Sequence, residues 1–516
     1  MSTLHSQILQ SAEQRPEAPA LKFSDATVSY SRFVEALRRL AEALQHLGIQ
    51  KGDRAALLLP NVPHFPICYY AILSIGGIVV PLNFMNDPRD LARQLDDSGA
   101  KLLIAWQGFE PQTAAAVAAA KQCRTIIYLG EEIPAGTYSL TQLIAASKPL
   151  EKFVEVSPDE PAIINYTSGI SDVALGAELT HEAVLANAET IIEMFHLTPQ
   201  DRLLAVIPLF HPFGQTFIMH AGLTAGSSLV LLPRFKADEV VAAVSKHSIT
   251  VFPAVPGMLR AICNLDNTAP SPSLKYVISY GGYLPQNLIE EFENRFQVPI
   301  LKAYGLTEAG PLVSSSRLER DRRENAVGLP LMGVEVQIRD EEGRVKKPNQ
   351  SGEIFVKSPS LMRSYHNQPE ESRKRLQDGW LATGDIGYLD MDNYLYILER
   401  KDEIINKGGF EIFPREIETI LCNFPGVAEA AVVGVPDPLH GSEVKACLVM
   451  QKGHRLDIQA LNRYCEERLP VYKRPKYYEC LEKLPKSPTG RVLKRLLRQQ
   501  NSDCAAKRGG DETINL

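Results

Sequence analysis

Residues 166–176 read Tyr166-Thr167-Ser168-Gly169-Ile170-Ser171-Asp172-Val173-Ala174-Leu175-Gly176. They follow a short apolar run at 163–166 and offer three hydroxyls, on Thr167, Ser168 and Ser171, beside the peptide N–H groups around Gly169. A strand that enters such a loop presents the donors that cradle a phosphate. A plain Ser/Gly turn has the same composition, so the loop alone leaves both readings open. Its context narrows them. Four further segments follow in order: Tyr304-Gly305-Leu306-Thr307-Glu308, then Gly379-Trp380-Leu381-Ala382-Thr383-Gly384-Asp385, then Lys401-Asp402 through Lys407-Gly408-Gly409-Phe410 to Glu418, and last Pro485-Lys486-Ser487-Pro488-Thr489-Gly490-Arg491.

This ordered set resembles the adenylate-forming superfamily of acyl-CoA synthetases, luciferases and peptide-synthetase adenylation domains, and the resemblance spans nearly the whole chain. It implies a large N-terminal domain, a hinge at 400–402 and a small C-terminal domain that rotates between acyl-adenylate and thioester formation. Carried over residue by residue, the resemblance places Glu308 and Thr167 on Mg2+, Thr307 on the adenylate phosphate and Tyr304 against adenine. Gly281 and Gly282 become the adenine-side backbone, and Asp385 the acceptor for the ribose hydroxyls. A carboxylate suits a hard cation, and an acceptor-only group suits paired hydroxyl donors. Thr167, Ser168, Gly169 and Ser171 would hold phosphate, Arg400 would flank the nucleotide, and Lys407, Gly408 and Gly409 would serve the coenzyme A side.

Pro208-Leu209-Phe210-His211-Pro212-Phe213-Gly214 is similar to the segment lining the acyl pocket of fatty-acyl and aryl ligases, with His211 as gate; a packed core histidine is the other reading of that residue. Residues 208–225 contain no Asp or Glu. An amino-acid substrate would leave its ammonium unpaired there at a large desolvation cost, so an uncharged acyl chain or ring is expected. Val255-Pro256-Gly257-Met258 is expected to shape the same pocket.

The chain departs from the family pattern at the step that grips ATP. The family loop reads Thr-Ser-Gly-Thr-Thr-Gly-x-Pro-Lys-Gly; here Ile170, Asp172, Ala174 and Leu175 replace Thr, Gly, Pro and Lys. A charge-assisted hydrogen bond is worth about 1.5–3 kcal/mol. An aspartate about 4 Å from a phosphate would add repulsion of about 4 kcal/mol at an effective dielectric near 20. Arg491 stands at the family's catalytic lysine, keeping the charge but not the compact shape, and Lys494 and Arg495 are out of register. The hinge reads Arg400-Lys401-Asp402, one residue short. The thioester side, 407–418 and 434–437, keeps the pattern. Tyr280 in Ser279-Tyr280-Gly281-Gly282 stands where a small residue is usual.

These residues need a scaffold, and the patterning supplies one. Phe33, Ala36, Leu37, Leu40, Ala41, Leu44 and Leu47 recur at helical spacing after Ser31, with Gly48 as the expected C-terminal cap. Short apolar runs at 55–59, 163–166, 203–207, 228–232 and 276–279 alternate with amphipathic helices, which predicts an α/β fold of helix-covered, largely parallel sheets. The expected organisation is residues 1–399 for acyl and nucleotide binding, with a β-rich, barrel-like subdomain at 327–399, the hinge at 400–402, an α+β lid at 403–500 and a disordered tail at 501–516.

At 516 residues two or more domains are expected. A formal charge of -6 gives no nucleic-acid footprint. The eight scattered cysteines form no C-x-x-C pair and fit reduced thiols in a cytoplasmic protein. The apolar stretch 69–82 is too short for a membrane span of roughly 20 residues and reads as buried core. The leading expectation is an AMP-forming acyl-CoA synthetase that uses ATP, Mg2+ and coenzyme A, or a carrier-protein thiol as acceptor, on a fatty or aryl acid. ATP-independent acyl transfer from a preformed acyl-adenylate or thioester, and a non-catalytic acyl- or AMP-binding protein, remain as alternatives. A homodimer is admitted as the assembly.

Overall fold

The apolar periodicity at the N-terminus forms a helix over Tyr30–His46, with Phe33, Leu37, Leu40, Ala41 and Leu44 on its buried face. Its N-cap is Ser29, whose Oγ accepts from the Arg32 N–H, rather than Ser31, which sits in the first turn. Gly48 follows in the left-handed region at φ +88°, as its position after the helix requires. The apolar stretch 69–82 becomes the end of the helix His64–Ser74, buried from Phe65 onward, and the strand Ile78–Pro81. Gly77 makes the turn between them possible, because a Cβ there would lie 2.8 Å from Ile72 Cγ2.

The computed structural model describes residues 2–167, 174–266, 271–438, 440–486 and 492–498. The chain divides into two compact units, one of residues 1–336 and 355–383, the other of 337–354 and 384–516. The first unit holds two large sheets. One has nine strands in the order 329–330, 312–315, 300–305, 276–279, 251–254, 202–205, 228–231, 19–23 and 26–29. Its central strands are parallel, with registers Ser279↔Lys302, Ala254↔Ser279, Leu203↔Val251 and Leu204↔Val230. The other has eight strands, in the order 364–365, 176–180, 161–166, 78–81, 54–58, 100–106, 125–129 and 138–139. The expected α/β class is therefore the observed one. Strands buried on both faces read as continuous apolar runs, and Arg54–Leu58 and Ser228–Leu231 show that pattern.

The β-rich stretch contains the strands Glu335–Arg339, Gly352–Lys357, Trp380–Leu389 and Leu395–Arg400, and the unit boundaries fall inside the first three. In the second unit a three-stranded sheet, Val427–Asp437, Gly441–Met450 and Tyr477–Cys480, packs with the helices Pro414–Cys422 and Ile458–Arg468. Ile412, Ile417, Leu421, Val432, Ala446 and Leu461 form its core. The tail at 501–516 lies outside the described residues.

Candidate active site

Four adjacent parallel strands of the nine-stranded sheet carry a flagged segment just past their C-terminal ends. Arg202–Ala205 leads into 208–214, Val251–Ala254 into 255–258, Tyr276–Ser279 into 280–282 and Ile300–Gly305 into 306–308. In open parallel sheets, ligands bind at that edge. The topology thus gathers His211, Pro256, Gly281, Gly282, Tyr304, Thr307 and Glu308 along one rim, although their positions span about a hundred residues.

Glu308 sits in a tight turn, Thr307–Ala309, that Gly305 permits: a Cβ on Gly305 would lie 2.0 Å from the Pro311 carbonyl oxygen. The Glu308 carboxylate is buried, and its Oε1 accepts from Tyr365 Oη at 2.6 Å. Its backbone carbonyl accepts from the Met362 N–H at 2.8 Å. Tyr365 belongs to the two-residue strand Ser364–Tyr365, which pairs with the strand Gly176–Thr180 through Tyr365↔Ala177. The side chain that orients Glu308 is therefore fixed to the hairpin carrying the candidate phosphate loop. Burial pushes the Tyr365 phenol well above its ordinary range, so it acts as a donor. Next to it His366 Nδ1 lies 2.6 Å from Glu178 Oε1, a contact that holds the Glu178 carboxyl below its usual value. The sequence flags neither Tyr365 nor His366.

The loop emerges from the antiparallel pair Pro161–Tyr166 and Gly176–Thr180, with Tyr166 opposite Gly176. Its neck closes through the Thr167 N–H, which donates to the Leu175 carbonyl at 2.9 Å. Tyr166 Oη donates to Asp97 Oδ2 at 2.7 Å and anchors the strand end to a neighbouring helix. Ser168, Gly169, Ile170, Ser171 and Asp172 lie outside the described residues, and so does Arg491. Leu175, half-buried at the neck, supplies no cation.

Along the 208–214 segment expected to line an acyl pocket, Tyr280 stacks flat on Phe213, with ring centres 4.3 Å apart and planes 4° from parallel, and His211 meets it edge-on at 6.0 Å. Tyr280 thus takes the space that a small residue would leave open and gives the 208–214 segment an aromatic wall. His211 Nδ1 accepts from the Phe213 N–H at 3.2 Å, and burial lowers its pKa to about 4. The imidazole is neutral near pH 7, which makes it a wall and a hydrogen-bonding group rather than a cation. Beside it Gly281 has φ +84°, and a Cβ there would meet nothing within 4 Å. The Ser279 hydroxyl is buried and has no partner among the described residues. An open backbone seat beside an unpaired hydroxyl fits a flat, polar ligand such as a nucleobase.

The second unit carries the remaining groups. Asp385 is buried, lies opposite Arg400 in the pair Trp380–Leu389 and Leu395–Arg400, and is 3.5 Å from Arg400 Nε. Arg400 Nε is also 3.4 Å from Asp402 Oδ1, and Lys401 Nζ is 2.8 Å from Glu353. Gly408 and Gly409, both at positive φ, make the two-residue turn of a hairpin in which Lys407 faces Phe410. Lys407 is ion-paired with Glu443. Asp437, His440 and Glu443 come close enough to share a cation, but Lys407 and Lys476, the latter 3.2 Å from Asp437 Oδ2, already neutralise the carboxylates. Lys494 is buried with Nζ 2.9 Å from Glu418, 3.3 Å from Glu403 and 3.6 Å from Glu399. It is engaged in this cluster and does not stand in for a displaced catalytic lysine.

Comparison with known proteins gives the family. Residues 8–366 match the AMP-binding enzyme family and residues 416–491 the AMP-binding enzyme C-terminal domain. A long-chain-fatty-acid–CoA ligase of Bacillus subtilis (strain 168) is 32% identical, covering 97% of this chain and 95% of its own. A 2-succinylbenzoate–CoA ligase of the same strain is 32% identical over 95% and 97%. Among solved structures, the anthranilate CoA ligase AuaEII in complex with anthranoyl-AMP superposes with a TM-score of 0.93 at 26% identity, covering 98% of each chain. The chain belongs to the AMP-binding enzyme family, and both of that family's modules are present in it.

Proposed function

We propose that this protein is an AMP-forming acid–thiol ligase that activates a fatty or aryl carboxylic acid as its acyl-adenylate and transfers the acyl group to coenzyme A. The carrying observation is the shared rim of four parallel strands, which sets an aromatic acyl wall, an open backbone seat and a buried, oriented carboxylate in a row.

In the first step a substrate carboxylate oxygen attacks the α-phosphorus of ATP and pyrophosphate departs. His211, Phe213 and Tyr280 hold the acyl group without a charged partner, consistent with the absence of Asp and Glu across 208–225. Thr167 and the turn at Thr307 present hydroxyls to phosphate oxygens. Glu308 and Thr167 would hold Mg2+, which supplies charge neutralisation on those oxygens when bound. The ligand set fits: one Glu308 oxygen accepts the hydrogen bond from Tyr365 Oη, and the other accepts nothing among the described residues. In the second step a thiolate sulfur attacks the acyl carbonyl and AMP leaves. We assign Asp385 and Arg400 to the ribose side and the Lys407-Gly408-Gly409 hairpin to the incoming thiol, with 400–402 as the hinge on which the lid turns.

No helix among the described residues is long and apolar enough to cross a membrane. Buried free thiols such as Cys68, Cys123 and Cys447 support a reducing, cytoplasmic setting. A homodimer is the proposed assembly, which light scattering of the purified protein decides. Incubation with ATP, Mg2+, coenzyme A and a panel of acids, read by mass spectrometry for acyl-CoA, tests the activity. Thioester formed only when ATP is present supports the ligase; thioester formed only from supplied acyl-adenylate overturns it in favour of ATP-independent transfer.

A further inference from the structure

Residues 214–221 form a π-helix, Gly214–Ala221, in which every residue is buried. Isolated π-turns concentrate at functional sites. Gln215 and His220 lie five positions apart, the hydrogen-bond period of that helix, and both reach Tyr69. Tyr69 Oη donates to Gln215 Oε1 at 3.3 Å and lies 3.2 Å from His220 Nε2. On the other ring nitrogen, His220 Nδ1 is 2.7 Å from Tyr70 Oη. Since Tyr69 uses its proton on Gln215, it accepts from His220 Nε2–H, and His220 Nδ1 accepts from Tyr70. Burial keeps the imidazole neutral, as this arrangement requires.

The chain of hydrogen bonds ends on two parts of the site. Gln215 Nε2 donates to the Phe210 carbonyl at 2.7 Å, one residue before His211, and to Asn165 Oδ1 at 3.0 Å; Asn165 Nδ2 returns a bond to Gln215 Oε1 at 3.3 Å. Asn165 is two residues before Thr167, on the strand that enters the phosphate loop. One amide therefore joins the acyl wall to that strand. All five polar side chains are at most 2% exposed and lie beside apolar neighbours such as Phe213, Phe217 and Met219. A buried polar network of this kind fixes orientation more than it adds stability.

We infer that Gln215 is a positioning residue for acid activation, setting the acyl carboxylate in line with the α-phosphate, and that Tyr69, His220 and Tyr70 lock the direction of its amide. The inference rests on the ligase reading above. The test separates the half-reactions: acid-dependent ATP–pyrophosphate exchange, and coenzyme A acylation from supplied acyl-adenylate. Gln215→Met is expected to lower exchange on the order of 10²-fold, the scale of a misplacement of about 1 Å, while acyl transfer stays within about threefold. Tyr69→Phe keeps the ring volume, serves if Gln215→Met does not fold, and is expected to show the same split at roughly threefold to tenfold. Equal loss in both half-reactions, or no loss in either, overturns the inference. Absence of exchange in the unaltered protein refutes the ligase reading and this inference with it; exchange there with no split refutes the inference alone.

Discussion

Tyr365 Oη donates to Glu308 Oε1 at 2.6 Å, across 57 positions of sequence. A bond to a buried carboxylate is worth about 1.5–3 kcal/mol. Tyr365→Phe should therefore lower kcat/KM for Mg-ATP by roughly 10–100-fold, with less effect on acyl transfer from supplied adenylate. Initial rates across an Mg-ATP titration check this; unchanged values would show that Glu308 needs no orientation.

Leu175 stands at the loop neck where the family carries lysine. Restoring the charge with Leu175→Lys, alone or with Asp172→Gly, should lower the KM for ATP by roughly tenfold, about one charge-assisted hydrogen bond. Steady-state ATP kinetics at saturating acid measure it. Unchanged kinetics would mean that the grip on the outer phosphates does not limit turnover.

Lys494 is surrounded by Glu399, Glu403 and Glu418. Burial alone would discharge it, yet the three carboxylates overcome that penalty and raise its pKa. Burial, opposed by Lys494, pushes Glu399 up to about 7. Lys494→Met removes the one cation among the described residues that these three carboxylates share and should destabilise the second unit by about 3–5 kcal/mol near pH 7.5. Glu399, with its raised folded pKa, binds its proton more tightly folded than unfolded, so its penalty grows as pH rises from about 4.5 through 7. The deficit should shrink at pH 5.5. Denaturant melts of both proteins at the two pH values check this, and an equal deficit at both would contradict it.

Buried histidines give the first unit the opposite slope. Burial lowers His5 to about 4 and His181 and His220 to about 3. The unfolded chain takes up these protons as pH falls below about 6.5 while the folded one does not, so stability drops toward pH 4 by up to about 1.4 kcal/mol per pH unit for each imidazole. Urea melts from pH 7 to 5 should show it, and His220→Phe should remove about one proton from the slope. A slope that His220→Phe leaves unchanged would contradict the burial of a neutral ring.

Much of this architecture was legible because buried parallel strands advertise themselves as short apolar runs, and because the flagged motifs come directly after them. The placement of Glu308, Gly281 and His211 at strand ends was legible for that reason. Tyr365 was not, since a lone tyrosine in a two-residue strand carries no periodicity and its role depends on a partner far away in sequence. Gln215 and His220 lay inside a stretch noted only for lacking acids; their spacing of five matches neither a helix face nor a strand face and makes sense only in a π-helix. The helix starts at Tyr30, one residue before Ser31, because the Ser29 hydroxyl accepts from the Arg32 N–H and caps it there. Lys494 is out of register with the family's catalytic lysine in the sequence, and its three carboxylate partners account for it.

The central claim, that the rim of parallel strands activates an uncharged acyl acid with ATP, is tested most directly by pyrophosphate release with a panel of fatty and aromatic acids in ATP and Mg2+. The account expects release that depends on the acid and stops when Glu308 is replaced by Gln. Acid-independent release, or none with any acid while acyl-adenylate is still consumed, would contradict it.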